Sequence, residues 1–167
     1  MLIFSIIIAT IDAAILLYFI RKIINKDNNF KTVVHLPLSL AIFGIVINIA
    51  GAISNIFASY NYNLIWLCVS LLIMILGIAA LLCQTNQKVV LISENSFTST
   101  TFWGKASTYT FDEIKSIQNN TDSYTLFVEN SKIHIESIAL IEEEFLEKVN
   151  VALERHVENI EGPSIQE

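Results

Sequence analysis

The chain changes character at about Gln84. Before that point lie three long apolar runs, Leu2 to Ile20, Leu36 to Ala58 and Leu64 to Leu82. A helix rises about 1.5 Å per residue, so about 20 apolar residues cross a hydrocarbon core of about 30 Å. Each run therefore has the length of one crossing. After Gln84 the chain becomes polar and acidic, with the short segments of a strand-rich domain. The expected fold class is a membrane α+β protein: three transmembrane helices, then a small antiparallel β-sandwich or barrel with a C-terminal α-helix. The expected boundaries are 1–83 for the transmembrane region (helices 2–20, 36–58 and 64–82), 84–160 for the domain and 161–167 for a disordered tail.

Charge follows the same division. Up to Cys83 the charged residues are Arg21, Lys22, Lys26 and Lys31 against Asp12 and Asp27, a balance of +2. From Gln84 onward six basic side chains face fourteen acidic ones, a balance of −8. Such a domain repels nucleic acid and anionic headgroups alike, so no nucleic-acid partner is expected. Hydrophobic residues make up 53% of the 167, high for a soluble globular chain. Cys68 and Cys83 both fall in the third apolar run and read as small apolar side chains.

The basic residues of the first half all lie in the link Arg21 to Lys31, whereas the second link, Ser59 to Asn63, has no charge. The positive-inside rule places the first link in the cytoplasm. Three crossings then put the amino terminus outside and the domain in the cytoplasm. The first run lacks a basic n-region and is followed directly by RKIINK, which reads as an uncleaved helix. Tyr60, Tyr62 and Trp66 match an outer aromatic belt.

In the second run Ala41, Gly44, Asn48, Gly51, Asn55 and Ala58 fall on one helical stripe. Small residues let helices approach closely in lipid, and Asn48 and Asn55 can hydrogen bond across such an approach. The stripe reads as a packing face toward the other two helices; a homodimer seam or a polar path is the competing reading. Asp12 lies mid-helix in the first run, where an ionised carboxylate is costly, and shares a face with Ser5 and Ala9. It is expected to face the bundle and bond Asn48 or Asn55, with an intramembrane functional role as the alternative. Asp12, Gly44, Asn48, Gly51 and Asn55 are thus the candidate site residues. His35 reads as a boundary residue at the start of the second helix.

Beyond Gln84 six strands are legible: KVVLIS, SFTSTTFW, STYTF, IKSIQ, SYTLFVE and KIHIES. In the last of these Ile133 and Ile135 alternate with His134 and Glu136, the first pair facing the core. A helix follows, with Ile141, Phe145, Val149, Ala152, Leu153, His156 and Ile160 at helical spacing. Glu142, Glu143 and Glu144 occupy its first turn, where the helix dipole favours negative charge.

The second half of the chain resembles the bacterial pleckstrin-homology-like (PH-like) domains found on small membrane proteins of Gram-positive bacteria. The resemblance rests on KVVLISENSF, on GKASTYTFDEIKSI and on EEFLEKV, with Phe111, Asp112, Glu113, Ile114 and Ile117 matching the family's strand-to-acidic pattern. A complete pleckstrin fold has seven strands; six are legible. Inositide-binding members of the wider fold use a basic cluster on the first hairpin. Here that hairpin, Lys88 to Trp103, has Lys88 alone opposed by Glu94, so phosphoinositide binding is disfavoured.

No pattern for catalysis, a cofactor or a metal is present. His35, His134 and His156 lie in separate contexts without cysteine, serine-elbow or carboxylate spacing, and the five glycines form no phosphate loop. The expected function is that of a non-enzymatic membrane protein embedded in the bilayer, whose PH-like domain binds a protein partner. A homo-oligomer joined through the small-residue stripe is the alternative association. The alternatives are a self-immunity or envelope-stress protein, on resemblance alone, and a small oligomeric channel around Asp12, Asn48 and Asn55.

Overall fold

The structure, a computed structural model, describes residues 1–25, 31–121, 123–129 and 131–161, with side chains described as far as Arg155. The tail expected beyond Glu161 lies outside the described residues, as do the side chains of His156 and Ile160. The chain divides into two compact units. One comprises Met1–Asp27 and Pro37–Asn86; the other comprises Asn28–Leu36 and Gln87–Glu167.

The first unit is helical. Helices α1 (Leu2–Ile24), α2 (Leu38–Tyr60) and α3 (Leu64–Asn86) each have 23 residues, or about 34 Å, enough to span a membrane. Side chains such as Ile3, Ile65 and Leu76 point outward, as in a bundle bathed in lipid. α2 starts at Leu38 because Pro37, extended at its N-cap, begins the helix. Asn63 caps α3 by accepting the Trp66 backbone N–H at 3.1 Å. At the other end Lys22 Nζ donates to Asn86 Oδ1 at 2.6 Å, tying α1 to α3.

The second unit contains the six strands read from the sequence and, among the described residues, two more. A five-stranded antiparallel sheet has the order β4-β3-β2-β1-β8, from β1 (Lys31–His35), β2 (Lys88–Ser93), β3 (Ser96–Thr100), β4 (Ala106–Thr110) and β8 (Leu140–Ile141). A three-stranded sheet has the order β5-β6-β7, from β5 (Ile114–Asn120), β6 (Ser123–Val128) and β7 (Ser131–Glu136). Helix α4 (Glu143–Glu161) follows.

β1 departs from the sequence reading. His35 is its last residue and no helix boundary: it sits opposite Lys88 on β2 and Leu140 on β8. A register shift between Thr32 and Val34 inserts Val33 as a bulge, so consecutive Val33 and Val34 are both buried. The Glu142 backbone N–H takes the Val33 carbonyl at 2.8 Å. Lys31 pairs with Glu142 at 3.0 Å and with Glu144, joining β1 to the start of α4. The acidic first turn of α4 is thus partly an ion-pair partner for β1.

β3 also differs: it ends at Thr100, and Phe102 and Trp103 form a loop instead of continuing the strand. The loop is closed by Thr101 N–H to Lys105 O at 3.0 Å and Gly104 N–H to Thr101 O at 2.8 Å. Gly104 sits at φ 79°, which glycine tolerates without strain.

Both sheets and α4 bury one core. Val33, Val89, Leu91 and Phe97 come from the larger sheet; Ile114, Leu126, Val128, Ile133 and Ile135 come from the smaller; Phe145, Val149 and Ala152 come from α4. Phe97 packs on Phe111 with ring centroids 5.0 Å apart and edge-on to Phe145 at 5.6 Å.

Candidate functional site

Two places in the molecule concentrate polar or accessible chemistry, one in each unit.

In the helical unit, the stripe of α2 is buried along its length: Ala41, Gly44, Asn48, Gly51, Asn55 and Ala58 all face inward. Leu67, Ser70, Met74, Gly77 and Leu81 form the matching buried stripe of α3. Contact is at backbone distance. A Cβ on Gly77 would lie 2.8 Å from the Gly44 carbonyl oxygen and 2.9 Å from Asn48 N, and one on Gly51 would lie 3.0 Å from Met74 N. Asn48 Nδ2 donates to the Met74 carbonyl at 3.1 Å. Asn55 Nδ2 donates to Ser70 Oγ at 3.0 Å, which in turn donates to the Leu67 carbonyl at 2.8 Å. Gly44, Asn48, Gly51 and Asn55 thus all meet α3 directly.

Asp12 is buried on the inner face of α1, with Ser5, Leu16 and Phe19. Its carboxyl lies beside the Asn48 side chain. Leu16 and Phe19 pack with Ala41 and Leu81 on the other side. The five candidate residues therefore converge on one internal seam. Ser5 Oγ, Asp12 Oδ1, Asn48 Oδ1, Asn55 Oδ1 and Ser59 Oγ are buried without a hydrogen-bond partner among the described residues. The seam thus uses the amide donors of Asn48 and Asn55 and leaves their carbonyl oxygens and two serine hydroxyls over.

In the β unit, a cleft of about 230 Å³ opens between the larger sheet and β7. Val34, Val89, Ile133 and Ile135 give it an apolar floor; Ser99, Ser107, His134 and Glu136 give it a polar rim. β7 is the outer strand of its sheet, bonded to β6 along one side only, and residues 132–136 all line the cleft. His134 Nδ1 lies 3.3 Å from Thr125 Oγ1, and its Nε2 lies 3.6 Å from Glu136. Sequence alternation places these side chains correctly, but it gives no sign that β7 is an edge or that a cleft lies beside it.

A second groove of similar size runs beside α4, lined by Glu94, Asn95, Phe111, Asp112, Lys148 and Arg155 among others. Its polar groups are engaged with one another: Lys148 Nζ donates to the Glu94 carbonyl at 3.0 Å, Asn95 to Asp112 at 3.1 Å, and Arg155 lies 3.8 Å from Asp112. That groove is cross-braced, whereas the cleft beside β7 keeps a strand edge open.

Among the described residues no three His, Cys, Asp or Glu side chains converge on a point that could hold a metal. Comparison of the chain with family models, with curated proteins and with solved structures finds no match.

Proposed function

We propose that this chain is a non-enzymatic membrane protein whose β domain is a cytoplasmic, PH-like module that binds an extended segment of a protein partner. The observation that carries the proposal is the free edge of β7 beside a cleft with an apolar floor. An extended segment can add a strand there, taking its hydrogen bonds from the β7 backbone and placing alternate side chains on the floor. The rim mixes Lys88, Lys132 and His134 with Glu136, so it suits a polar segment of mixed charge better than a phosphate-rich ligand. The PH-like reading is supported by two antiparallel sheets closed by a C-terminal helix; with β1 and β8 the described strands number eight, one more than a complete pleckstrin fold has.

The orientation rests on connectivity. β1 lies between α1 and α2, and β2 follows α3; the two strands pair in one sheet. That pairing supports a topology with both links on one side of the membrane. Arg21 and Lys22 in the last turn of α1 favour the cytoplasmic side.

The test is site-specific photo-crosslinking of full-length protein in its native membranes. A photoreactive residue at His134 or Ser107 is expected to capture the same partner, and one at Glu154, exposed on α4, to capture nothing. No adduct at the cleft, or equal capture at Glu154, would overturn the assignment.

A further inference from the structure

The end of the larger sheet from which the chain passes into the helices is also where the β unit exposes its apolar side chains. Strand register fixes which residues lie there. β1 runs toward that end and stops at His35, followed by Leu36 and the start of α2; β2 begins there at Lys88, directly after α3 and Gln87. Lys88 is opposite Thr100, and Thr100 is opposite Ala106, so the loop 101–105 projects from the same end. His35 is opposite Leu140 on an antiparallel strand, so the turn before Leu140, with Ile138, projects there too.

Those two connections, with Leu140 at the start of β8, hold the large apolar residues of the unit that are more than half exposed among the described residues: Trp103 at 82%, Ile138 at 55% and Leu140 at 53%. Trp103 stands edge-on to Phe102 at the tip of the loop, ring centroids 4.8 Å apart, with exposed Lys105 beside it. An indole next to a lysine is the pairing enriched at membrane–water interfaces. The distances allow it. Three residues beyond Thr100 reach at most about 10 Å, and the headgroup layer on one face of a bilayer is roughly 5 to 8 Å thick.

We infer that Phe102 and Trp103, with Ile138 and Leu140 behind them, form an apolar collar that dips into the interface of the bilayer that α1, α2 and α3 cross. This rests on the membrane-spanning reading of those helices. It is independent of headgroup charge: the net charge of the domain disfavours anionic lipid, and the contact is made by uncharged rings with a single lysine at the rim. The collar gives the β unit a non-covalent attachment besides the three places where the chain passes between it and the helices.

The chain has two tryptophans, Trp66 in α3 and Trp103, so each can be read alone. Full-length W66F and W103F proteins are reconstituted in zwitterionic phosphatidylcholine vesicles, with and without lipids brominated near the top of the acyl chain. Trp103, observed in W66F, is expected to emit to the blue of an exposed indole, to be quenched by bromolipid and to be quenched several-fold less by aqueous iodide than free tryptophan. If W66F fails to fold, the difference between wild type and W103F gives the same quantity. Trp66, observed in W103F, reports the helices themselves. Bromolipid quenching of Trp66 but not of Trp103 would overturn the collar and leave the membrane reading intact. Quenching of neither would remove both. A Trp103 shielded from iodide and also from bromolipid would be in contact with protein, and the inference would fall.

Discussion

β1 and β2 are the two arms of a β-hairpin whose loop has been replaced by α2 and α3. His35 and Lys88 face each other across the pair, and everything between Leu36 and Gln87 is helical hairpin. A chain cut at residue 87 therefore loses a strand from inside its larger sheet. Burying Val33 and Val34 contributes roughly 3 to 6 kcal/mol together, while ordering five residues costs about 1 to 2 kcal/mol each. Those terms nearly cancel, so what deletion leaves behind decides the outcome. Val89 and Leu91 lose their cover, β8 loses its sheet neighbour, and the Glu142 N–H loses the Val33 carbonyl. Each buried group left unpaired costs about 1 to 3 kcal/mol, against a typical total stability of about 5 to 15 kcal/mol. The fragment 87–161 is expected to lack fixed tertiary packing. Joining 31–36 to 87–161 through Asn-Gly leaves four residues between His35 and Lys88, a normal hairpin loop with a turn that matches strand twist. That protein is expected to show near-ultraviolet dichroism and a single cooperative urea transition, and Val33→Asp within it to abolish both. If the fragment without β1 unfolds cooperatively at the same urea midpoint as the joined protein, β1 is accessory and the reasoning fails.

Three further outcomes follow from the geometry. Gly77→Ala puts a methyl group against the Gly44 carbonyl and Asn48 backbone and is expected to cost about 1 to 3 kcal/mol in detergent unfolding followed by Trp66 emission; Leu76→Ala, facing outward, is expected to cost far less, and equal effects would refute backbone-distance packing. Hydrogen bonds to Glu144 and Glu142 raise Lys31 above its ordinary 10.5, and Lys31 holds Glu144 below its ordinary 4.5. The carboxylate contribution is therefore present above the ordinary value and lost as pH falls through the depressed one, and the lysine contribution is lost only as pH rises past 10.5 through its raised value. The Tm gap between wild type and Lys31→Met should thus narrow in acid, and a gap constant with pH would count against the pairing. In a background without Cys68 and Cys83, Asn61→Cys should react with an impermeant maleimide on intact cells and Ser116→Cys only after permeabilisation; the reverse pattern would invert the orientation.

What the sequence displayed depended on whether burial left a period to read. The three helices are plain from hydropathy, and β2, β6 and β7 from alternation, as with Leu126 and Val128 or Ile133 and Ile135. β1 has no such signature. Its bulge buries two consecutive valines, it is five residues long, and Leu36 merges it with the next apolar run. The stripe on α2 is legible because asparagine and glycine stand out against isoleucine. Its partner on α3 is not, since that helix is apolar all round and only Ser70 and Gly77 mark the buried side. The run TSTTFW has the composition of a strand throughout, and only the need for positive φ at Gly104 places its aromatic end in a loop. The cleft beside β7 was not legible at all, because an edge is defined by which strands are absent from its side.

Short connections join the two helices of the seam to the β1–β2 pair. Leu36 and Pro37 alone separate β1 from α2, and Gln87 alone separates α3 from β2. Paired strands lie about 4.7 to 4.9 Å apart, while packed helices ordinarily have axes 8 to 10 Å apart. A connecting residue spans at most about 3.3 to 3.6 Å, so even these short links admit helices at their ordinary separation, and the strand pairing does not require the close approach of α2 and α3. Gly44 and Gly77 in backbone contact have their reason within the helix pair itself. In lipid, where apolar surface gains nothing by leaving its solvent, close packing and the Asn48 and Asn55 hydrogen bonds are what hold the two helices together. The glycines and the asparagines are therefore one device: a side chain larger than glycine at Gly44 or Gly77 opens the helix pair and should weaken the Asn48 hydrogen bond to the Met74 carbonyl along with the packing, because that bond needs the same backbone approach.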